Sequence, residues 1–181
     1  MINQQLLNPK SIVVVGGSNN VHKPGGAIVR NLLKGNYQGT LRIINPKEDE
    51  VQGIKVYHRP EEIPPTDLAI LVVAAKFCPG YVDYLAANKQ VRAFIIIPAG
   101  FSEETEEGAV MEQQILHTCE QYDCALIGPN CIGLLNNVHH SVFTQPIPKL
   151  NPQGVDFISG SGATAVFILE SAVIKGLQFN S

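Results

Sequence analysis

Apolar and polar positions follow each other along the chain in two different patterns. Short, continuous apolar runs rich in Val and Ile predict strands, and segments with an apolar residue every three or four positions predict helices. Five strands are predicted, at residues 11–15, 41–44, 67–73, 93–97 and 124–127. Helices are predicted at residues 25–34, at 79–88 and, with Ser102 as N-cap, at 102–122. Continuously apolar strands are typical of a parallel sheet covered by helices on both faces.

The order of these elements predicts the fold class. Strands that alternate with helices indicate an α/β protein with a Rossmann-like, doubly wound, mostly parallel sheet, because β-α-β crossovers are right-handed. We expect this domain to span residues 1–140, followed by a linker over 141–153 with a short strand at 141–143. Residues 154–181 predict a strand, a glycine loop and a helix over about 165–174. One such unit cannot bury its own faces, so it is interpreted as the truncated start of a second domain.

The first strand ends in a candidate phosphate loop, Gly16 to Asn20, with a predicted helix a few residues later. Backbone N–H groups at such a turn, together with the helix dipole, favour an anion. The loop departs from the G-x-G-x-x-G of dinucleotide sites, and the second strand ends in Asn45-Pro46-Lys47 where those sites carry an acidic residue. A lysine at that position favours a ligand with a phosphate on its ribose. NADP and coenzyme A (CoA) both fit this pattern.

Seven short motifs follow one another along the chain. They are Asn8-Pro9-Lys10-Ser11-Ile12, Gly16-Gly17-Ser18, Asn45-Pro46-Lys47, Ala75-Lys76-Phe77, Ala99-Gly100-Phe101, Gly128-Pro129-Asn130-Cys131-Ile132-Gly133 and Phe157-Ile158-Ser159-Gly160-Ser161-Gly162. With these motifs the chain resembles the CoA-binding domain of NDP-forming acyl-CoA synthetases, the family of ADP-forming acetyl-CoA synthetase and the α subunit of succinyl-CoA synthetase. The resemblance extends over essentially the whole chain.

The resemblance implies that the parent protein is an enzyme, an ADP-forming acid–thiol ligase. Such an enzyme makes acyl-CoA from a small carboxylate, CoA and ATP through an acyl phosphate and a phosphohistidine. The family adds to the CoA domain a flavodoxin-like domain, with the histidine in a Gly-His-Ala-Gly-Ala type motif, and an ATP-grasp module. Neither sequence occurs here, so this chain alone is expected to bind CoA without completing the reaction. ATP or ADP and Mg²⁺ would bind in the missing domains or subunits, and no catalytic residue or metal site is expected here.

The same resemblance implies a set of ligand-binding residues. The residues expected to bind CoA are Gly16, Gly17, Ser18, Asn19, Asn20, Lys47, Ala75, Lys76, Phe77, Pro98, Ala99, Asn130 and Cys131. The loop from Gly16 to Asn20 would line the CoA phosphates or pantetheine, and Lys47 would meet a CoA phosphate. The Asn130-Cys131 pair would face the reactive end. In the second domain the expected phosphate loop consists of Ser159, Ser161 and Gly162.

Composition argues against several other classes of function. The net charge is −3 with acidic and basic residues interspersed, so no surface for nucleic acid is predicted. No stretch approaches the roughly 18 apolar residues of a membrane span, and no signal peptide is evident, which favours a soluble, cytoplasmic protein with no membrane partner. Four cysteines without a C-x-x-C pair indicate reduced, mostly buried thiols. His139 and His140 lie in a predicted loop and are interpreted as solvated.

Two alternative functions stay open at this point. An NAD(P)-binding oxidoreductase domain would share the strand, glycine loop and helix, and a stand-alone CoA-binding regulatory module would share the binding residues without catalysis. The apolar face of the incomplete second unit predicts contacts with the missing domains or with a second copy of the chain. A homo-oligomer is therefore one of the expected assemblies.

Overall fold

The computed structural model of this protein describes residues 2–181. The helices are α1 (Gln4–Leu7), α2 (Pro24–Lys34), α3 (Cys78–Asn88), α4 (Glu106–Gln121) and α5 (Gly162–Ile174). The strands are β1 (Ser11–Val15), β2 (Thr40–Ile44), β3 (Glu50–Val51), β4 (Ile54–Lys55), β5 (Leu68–Leu71), β6 (Ala93–Ile96), β7 (Ala125–Ile127), β8 (Gly133–Leu135) and β9 (His140–Val142). The five strands predicted for the parallel sheet are all present, and so are the three helices predicted between them.

One parallel sheet organises the molecule, with the strand order β2, β1, β5, β6, β7. Val13 of β1, for example, pairs with Arg42 of β2 on one side and with Ala69 of β5 on the other. The chain moves from β1 to β2 at one edge and then returns to build β5, β6 and β7 on the other side. This order confirms the doubly wound α/β sheet, and ligands bind such sheets outside the carboxyl ends of the strands, near the point of reversal.

The sheet is buried on both faces, as its continuous apolar strands predict. Successive residues of β1 point to opposite faces, so Val13 and Val15 pack with α3 and α4, whereas Ile12 and Val14 pack with α2. All four side chains are fully buried. Full burial of one such side chain contributes about 1.5–3 kcal/mol, so β1 is firmly anchored on both sides of the sheet.

Helix α4 begins later than its sequence predicts. Its N-cap is Thr105, whose Oγ1 accepts a hydrogen bond from the Gly108 N–H at 2.9 Å, so the prediction of Ser102 as N-cap is wrong. The cause is packing at the preceding residue. Phe101 is fully buried, and a Cβ on Gly108 would lie 2.1 Å from the Phe101 carbonyl oxygen. The chain therefore turns over Phe101 before the helix starts.

Strands β8 and β9 form an antiparallel hairpin that packs against α2. Asn31 of α2 is buried and donates from Nδ2 to the Val142 carbonyl oxygen at 2.7 Å. His139 is also buried: its Nδ1 lies 2.7 Å from the Ser141 hydroxyl, and its Nε2 lies 2.9 Å from the Leu6 carbonyl oxygen. The interpretation of His139 as solvated is therefore wrong, because the hairpin turns its ring towards α1. Burial lowers the pKa of this imidazole to about 4.

The last part of the chain contains the predicted helix, α5, but not the strand expected before it. Val155 makes a single parallel bridge with Phe179. A strand needs a neighbouring strand that is hydrogen-bonded to it along its length. The neighbour here is the segment 178–181, which is too short to extend the bridge into a strand. Three large apolar side chains in this part are 89 %, 70 % and 87 % exposed, in the order Ile158, Phe167 and Ile174. The unit therefore leaves apolar surface uncovered.

Candidate functional site

The loops that follow the five parallel strands lie along one edge of the sheet. Hydrogen bonds join neighbouring loops along this edge. After β2, Asn45 Nδ2 donates to the Gly17 carbonyl oxygen, which follows β1, at 2.8 Å. After β7, the Asn130 N–H donates to the Pro98 carbonyl oxygen, which follows β6, at 3.0 Å. The structure thus brings candidate residues from distant stretches of the sequence to one edge.

Glycines allow α2 to pack directly on the loop after β1. Gly16 has a φ of +90°, and a Cβ there would lie 2.8 Å from the Val72 carbonyl oxygen. A Cβ on Gly25 would lie 2.2 Å from the Gly16 carbonyl oxygen, and one on Gly26 would lie 2.1 Å from the Asn20 carbonyl oxygen. The glycines therefore permit a close contact between backbones, which holds the N-terminus of α2 against the end of β1.

The polar side chains of this loop make local hydrogen bonds and also bond to the β3–β4 hairpin. Ser18 Oγ accepts from the Asn20 N–H at 3.1 Å, and Asn20 Oδ1 accepts from the His22 N–H at 3.0 Å. Asn19 Nδ2 donates to the Glu50 carbonyl oxygen at 2.8 Å. These three side chains fix the shape of the loop, and they hold its backbone in one arrangement.

Backbone N–H groups in the middle of this loop are unpaired. Within residues 2–181, the N–H groups of Ser18 and Asn19 donate no hydrogen bond. The N-terminus of α2 also lacks a side-chain cap, since Lys23 precedes Pro24 without such a bond. Unpaired N–H groups and the positive end of a helix dipole attract an anion. The loop is thus able to bind phosphate through its backbone.

Lys47 adds a positive charge beside this loop. Its N–H donates to Asn45 Oδ1 at 2.9 Å, and the same Asn45 side chain holds the Gly17 carbonyl oxygen. The Lys47 side chain is exposed, and it takes part in neither of the salt bridges found in residues 2–181. An exposed, unpaired lysine next to an anion-binding loop suits a second phosphate of the same ligand.

The loops after β5 and β6 provide aromatic and small apolar surface. Ala75–Phe77 forms a 3-10 turn in which the Phe77 side chain is 52 % exposed and Lys76 Nζ lies 5.1 Å from the ring centroid. The Ala75 Cβ lies 3.3 Å from the position of a Cβ on Gly100, so this turn is close to Pro98 and exposed Ala99. An exposed ring beside small residues can hold a flat base or an apolar chain.

Cys131 follows β7 with its thiol turned into the protein. Its Sγ donates to the Ile96 carbonyl oxygen at 3.3 Å. Burial raises the pKa of this thiol to about 11, so it stays protonated at neutral pH and is a poor nucleophile. The adjacent Asn130, which is exposed at a φ of +52°, is the residue of this pair that is open to a ligand.

The second glycine loop lies next to the end of this same segment. A Cβ on Gly162 would lie 2.6 Å from Ile132 Cγ2. Ser161 caps α5 by accepting a hydrogen bond from the Thr164 N–H, and Ser159 Oγ donates to the Ser161 carbonyl oxygen at 2.9 Å. The start of α5 therefore has a side-chain cap, unlike the start of α2.

Two features of the site are not predicted by the sequence patterns. One is a groove of about 440 Å³ beside the first loop, whose lining includes the basic side chains of His22, Lys23 and Arg30. The other is Gln52, at the tip of the β3–β4 hairpin, whose side chain reaches the loop after β1. The Gln52-Gly53 pair marks a turn in the sequence, but nothing in its spacing indicates which distant loop it contacts.

The part of the chain that the structure describes carries few other chemical signals. No three His, Cys, Asp or Glu side chains in residues 2–181 are grouped so that they could hold a metal ion. In the same residues no helix combines the length and the apolar character needed to cross a lipid bilayer.

Comparison with known proteins agrees with this geometry. Residues 10–137 match the family model described as CoA binding domain. The chain is 35 % identical over 180 residues to acetate–CoA ligase (ADP-forming) I of Archaeoglobus fulgidus, and the match covers 98 % of this chain and 26 % of the ligase. It is 37 % identical over 175 residues to the alpha subunit of acetate–CoA ligase (ADP-forming) II of Pyrococcus furiosus, covering 96 % of this chain and 37 % of the subunit.

A solved structure gives the same result. The dinucleotide-forming acetyl-coenzyme A synthetase 1 of Ca. Korarchaeum cryptofilum, in complex with phosphate and ADP, superposes with a TM-score of 0.87 at 28 % identity, over 98 % of this chain and 38 % of that one. This chain thus spans between about a quarter and two-fifths of the length of these relatives. The family match includes the whole parallel sheet and the loops at its carboxyl edge, and it confirms the resemblance seen in the sequence. The chain belongs to the family of CoA-binding domains.

Proposed function

We propose that this chain is the CoA-binding portion of an ADP-forming acyl-CoA synthetase, an acid–thiol ligase that joins a small carboxylate to CoA at the expense of ATP. One observation carries the proposal: unpaired N–H groups at Ser18 and Asn19 follow β1, where the strand order reverses, and the exposed Lys47 follows the neighbouring strand β2. CoA carries a pyrophosphate and a separate ribose phosphate, so it needs two neighbouring contacts for anions. The relatives named as CoA ligases support this choice over NADP.

Each phosphate group of CoA has a proposed contact in this chain. The N–H groups of Ser18 and Asn19 hold the pyrophosphate, assisted by the uncapped start of α2. Lys47 holds the ribose phosphate from the end of β2. Hydrogen bonds to a charged group contribute about 1.5–3 kcal/mol each, so the loss of one contact is measurable.

The remaining loops would position the rest of the ligand. Phe77 and Ala99 offer surface to the adenine or the pantetheine, and Asn130 lies where the reactive thiol end would arrive. Cys131 has a packing role, because its protonated thiol is turned towards Ile96. The loop from Ser159 to Gly162 adjoins this end of the site and would take part in the phosphoryl steps.

The phosphoryl chemistry itself is proposed for other parts of the protein. The chain spans 26 % of the Archaeoglobus ligase, and ATP, Mg²⁺ and a phosphohistidine would act in further domains or subunits. This chain then binds CoA, orients its thiol and awaits the acyl group from those partners. Its free cysteines, three of them buried, suit the reducing cytoplasm.

Calorimetry on the full chain tests the proposal with CoA, dephospho-CoA, NADPH and NADH as ligands. Lys47→Ala should weaken CoA binding about tenfold, equivalent to about 1.4 kcal/mol, because one charged contact is lost. Binding of dephospho-CoA, which lacks the ribose phosphate, should change much less. Lys55→Ala, which removes another exposed lysine, is the matched control. Binding of NADPH without CoA would contradict the proposal, and so would equal effects of the two lysine variants.

A further inference from the structure

The β3–β4 hairpin makes direct contact with the loop after β1. Gln52 at its tip donates from Nε2 to the carbonyl oxygen of Ser18 at 3.0 Å and to that of Gly26 at 2.9 Å. One amide group therefore ties the loop to the first turn of α2. Gln52 adopts a φ of +50°, a conformation that residues other than glycine rarely adopt, so the tip is held in an unusual shape around these contacts.

Asn19 completes the attachment from the side of the loop. Its Oδ1 accepts from the Gln52 N–H at 2.8 Å, and its Nδ2 donates to the Glu50 carbonyl oxygen at 2.8 Å. The same Nδ2 also donates to the Glu48 carboxylate. The hairpin thus holds the loop through both the side chain and the backbone of consecutive residues.

These contacts determine which way the peptide groups of the loop face. In a trans peptide the C=O and the following N–H point in opposite directions, and the Gly17–Ser18 and Ser18–Asn19 peptides are both trans. Because the Ser18 carbonyl points at Gln52, the Asn19 N–H points away from it. Because the Gly17 carbonyl points at Asn45, the Ser18 N–H points away from that side chain. Two amide side chains from different loops therefore orient the unpaired N–H groups of Ser18 and Asn19.

We propose that Gln52 is a positioning residue for CoA: by holding the Ser18 carbonyl, it keeps the Asn19 N–H directed at the phosphate without itself touching the ligand. This inference rests on the proposed function of the loop as the CoA phosphate site. Without the donor at residue 52, the Ser18–Asn19 peptide is free to flip, since asparagine tolerates the left-handed backbone conformation better than most residues. A flipped peptide would present a carbonyl oxygen to the anion and repel it.

Gln52→Glu tests this role in the full chain. The new side chain has the same shape but replaces the N–H donor with a carboxylate that repels both carbonyl oxygens. Calorimetry should give a CoA dissociation constant about tenfold higher. Gln52→Lys restores a donor and should recover most of the affinity. Lys55→Gln, on the same hairpin, is the control and should bind CoA as the wild type does.

An NMR measurement separates positioning from a general structural role. In the wild type, CoA should shift the amide signals of Ser18 and Asn19, because their N–H groups form new hydrogen bonds. In Gln52→Glu the Asn19 shift should be lost even when CoA is saturating. If that variant does not fold, Gln52→Met, which keeps the length and lacks a donor, replaces it in both measurements.

The outcomes distinguish the inference from the proposed function. A wild-type chain that does not bind CoA overturns the function and, with it, the role of Gln52. A wild-type chain that binds CoA while the donor-free variant binds within about twofold of it overturns the role of Gln52 alone. Equal affinities of Gln52→Lys and Gln52→Glu, both weak, would also overturn it, because the donor would then not matter.

Discussion

Two glycine loops in this chain precede helices, and their surroundings differ. The first, Gly16 to Asn20, lies between β1 and α2, at the end of a strand that has a neighbour on each side in the five-stranded sheet. The second, Ser159 to Gly162, precedes α5 without any strand directly before it. Both are rich in glycine and serine, and both lead into an apolar helix. The local sequence therefore specifies a turn and a helix start in each case, and neighbouring strands decide whether the turn is enclosed.

The two helix starts are also stabilised differently. Ser161 caps α5 with its own side chain, which accepts a hydrogen bond from the Thr164 N–H. The start of α2 has no such cap and is held instead by close backbone contacts at Gly25 and Gly26 and by amide groups from distant loops. An uncapped helix start keeps its N–H groups available, provided that other parts of the fold keep it in place. The difference separates a loop that distant residues hold in place from a loop that caps its own helix.

The largest expected effect comes from adding one methyl group to each loop region. Gly26→Ala should lower the free energy of unfolding by about 2–3 kcal/mol, because its Cβ would lie 2.1 Å from a backbone oxygen that cannot move freely. Gly160→Ala should change it by less than about 0.5 kcal/mol, because nothing lies within 4 Å of its Cβ. Urea unfolding measures both. If the free energy of unfolding fell by similar amounts in the two variants, the two loops would be equally enclosed.

The free energy of unfolding should depend on pH through a histidine in the hairpin that precedes the second loop. Burial lowers the pKa of His139 from 6.5 to about 4, so between these values the unfolded chain binds a proton more readily than the folded one. The contribution of His139 is therefore present above about pH 6.5 and is lost as the pH falls towards 4, by about 2 kcal/mol between pH 7 and pH 5. His139→Gln should remove this part of the slope in urea unfolding, with the exposed His117→Gln as control. A slope identical to the wild type would contradict the prediction.

A smaller effect than that of His139 is expected at the capped helix start. Ser161→Ala should reduce the stability of the first turn of α5 by about 0.5–1 kcal/mol, because the Thr164 N–H loses its acceptor. Amide hydrogen exchange of Thr164 should become faster, while exchange in β5 and β6 stays the same. Thr105→Ala provides the comparison, since that cap belongs to a helix packed on the sheet and its loss should lower global stability by about 1 kcal/mol. Faster exchange throughout the sheet in Ser161→Ala would argue against the separation of the two regions.

The parallel sheet is predictable from the sequence because the apolar runs that mark its strands are local features of the chain. Runs such as residues 93–97 are apolar at every position, and the structure buries them on both faces. The glycine loop after β1 was also predictable, since two glycines between an apolar run and a helix leave few other conformations. The placement of candidate residues at strand ends followed from the topology, which itself follows from alternating elements.

The errors and omissions involve contacts between residues far apart in the chain. Ser102 has the composition of an N-cap, but burial of Phe101 moves the helix start to Thr105. The sequence predicts a solvated His139, because no periodic pattern shows that a hairpin turns it towards α1. Gln52 was missed for a similar reason: its partners are 26 and 34 residues away, and no motif joins them.

The amide groups that hold the first loop carry no net charge, and this determines how salt affects the binding of an anionic ligand. The side chains of Asn45 and Gln52 are neutral donors, so the orientation of the loop that they impose does not depend on ionic strength. Lys47 is exposed, and the attraction of such a charge beyond about 8 Å is largely screened at physiological salt. In a cell, salt would therefore slow the arrival of an anionic ligand at this edge more than it would hasten its departure.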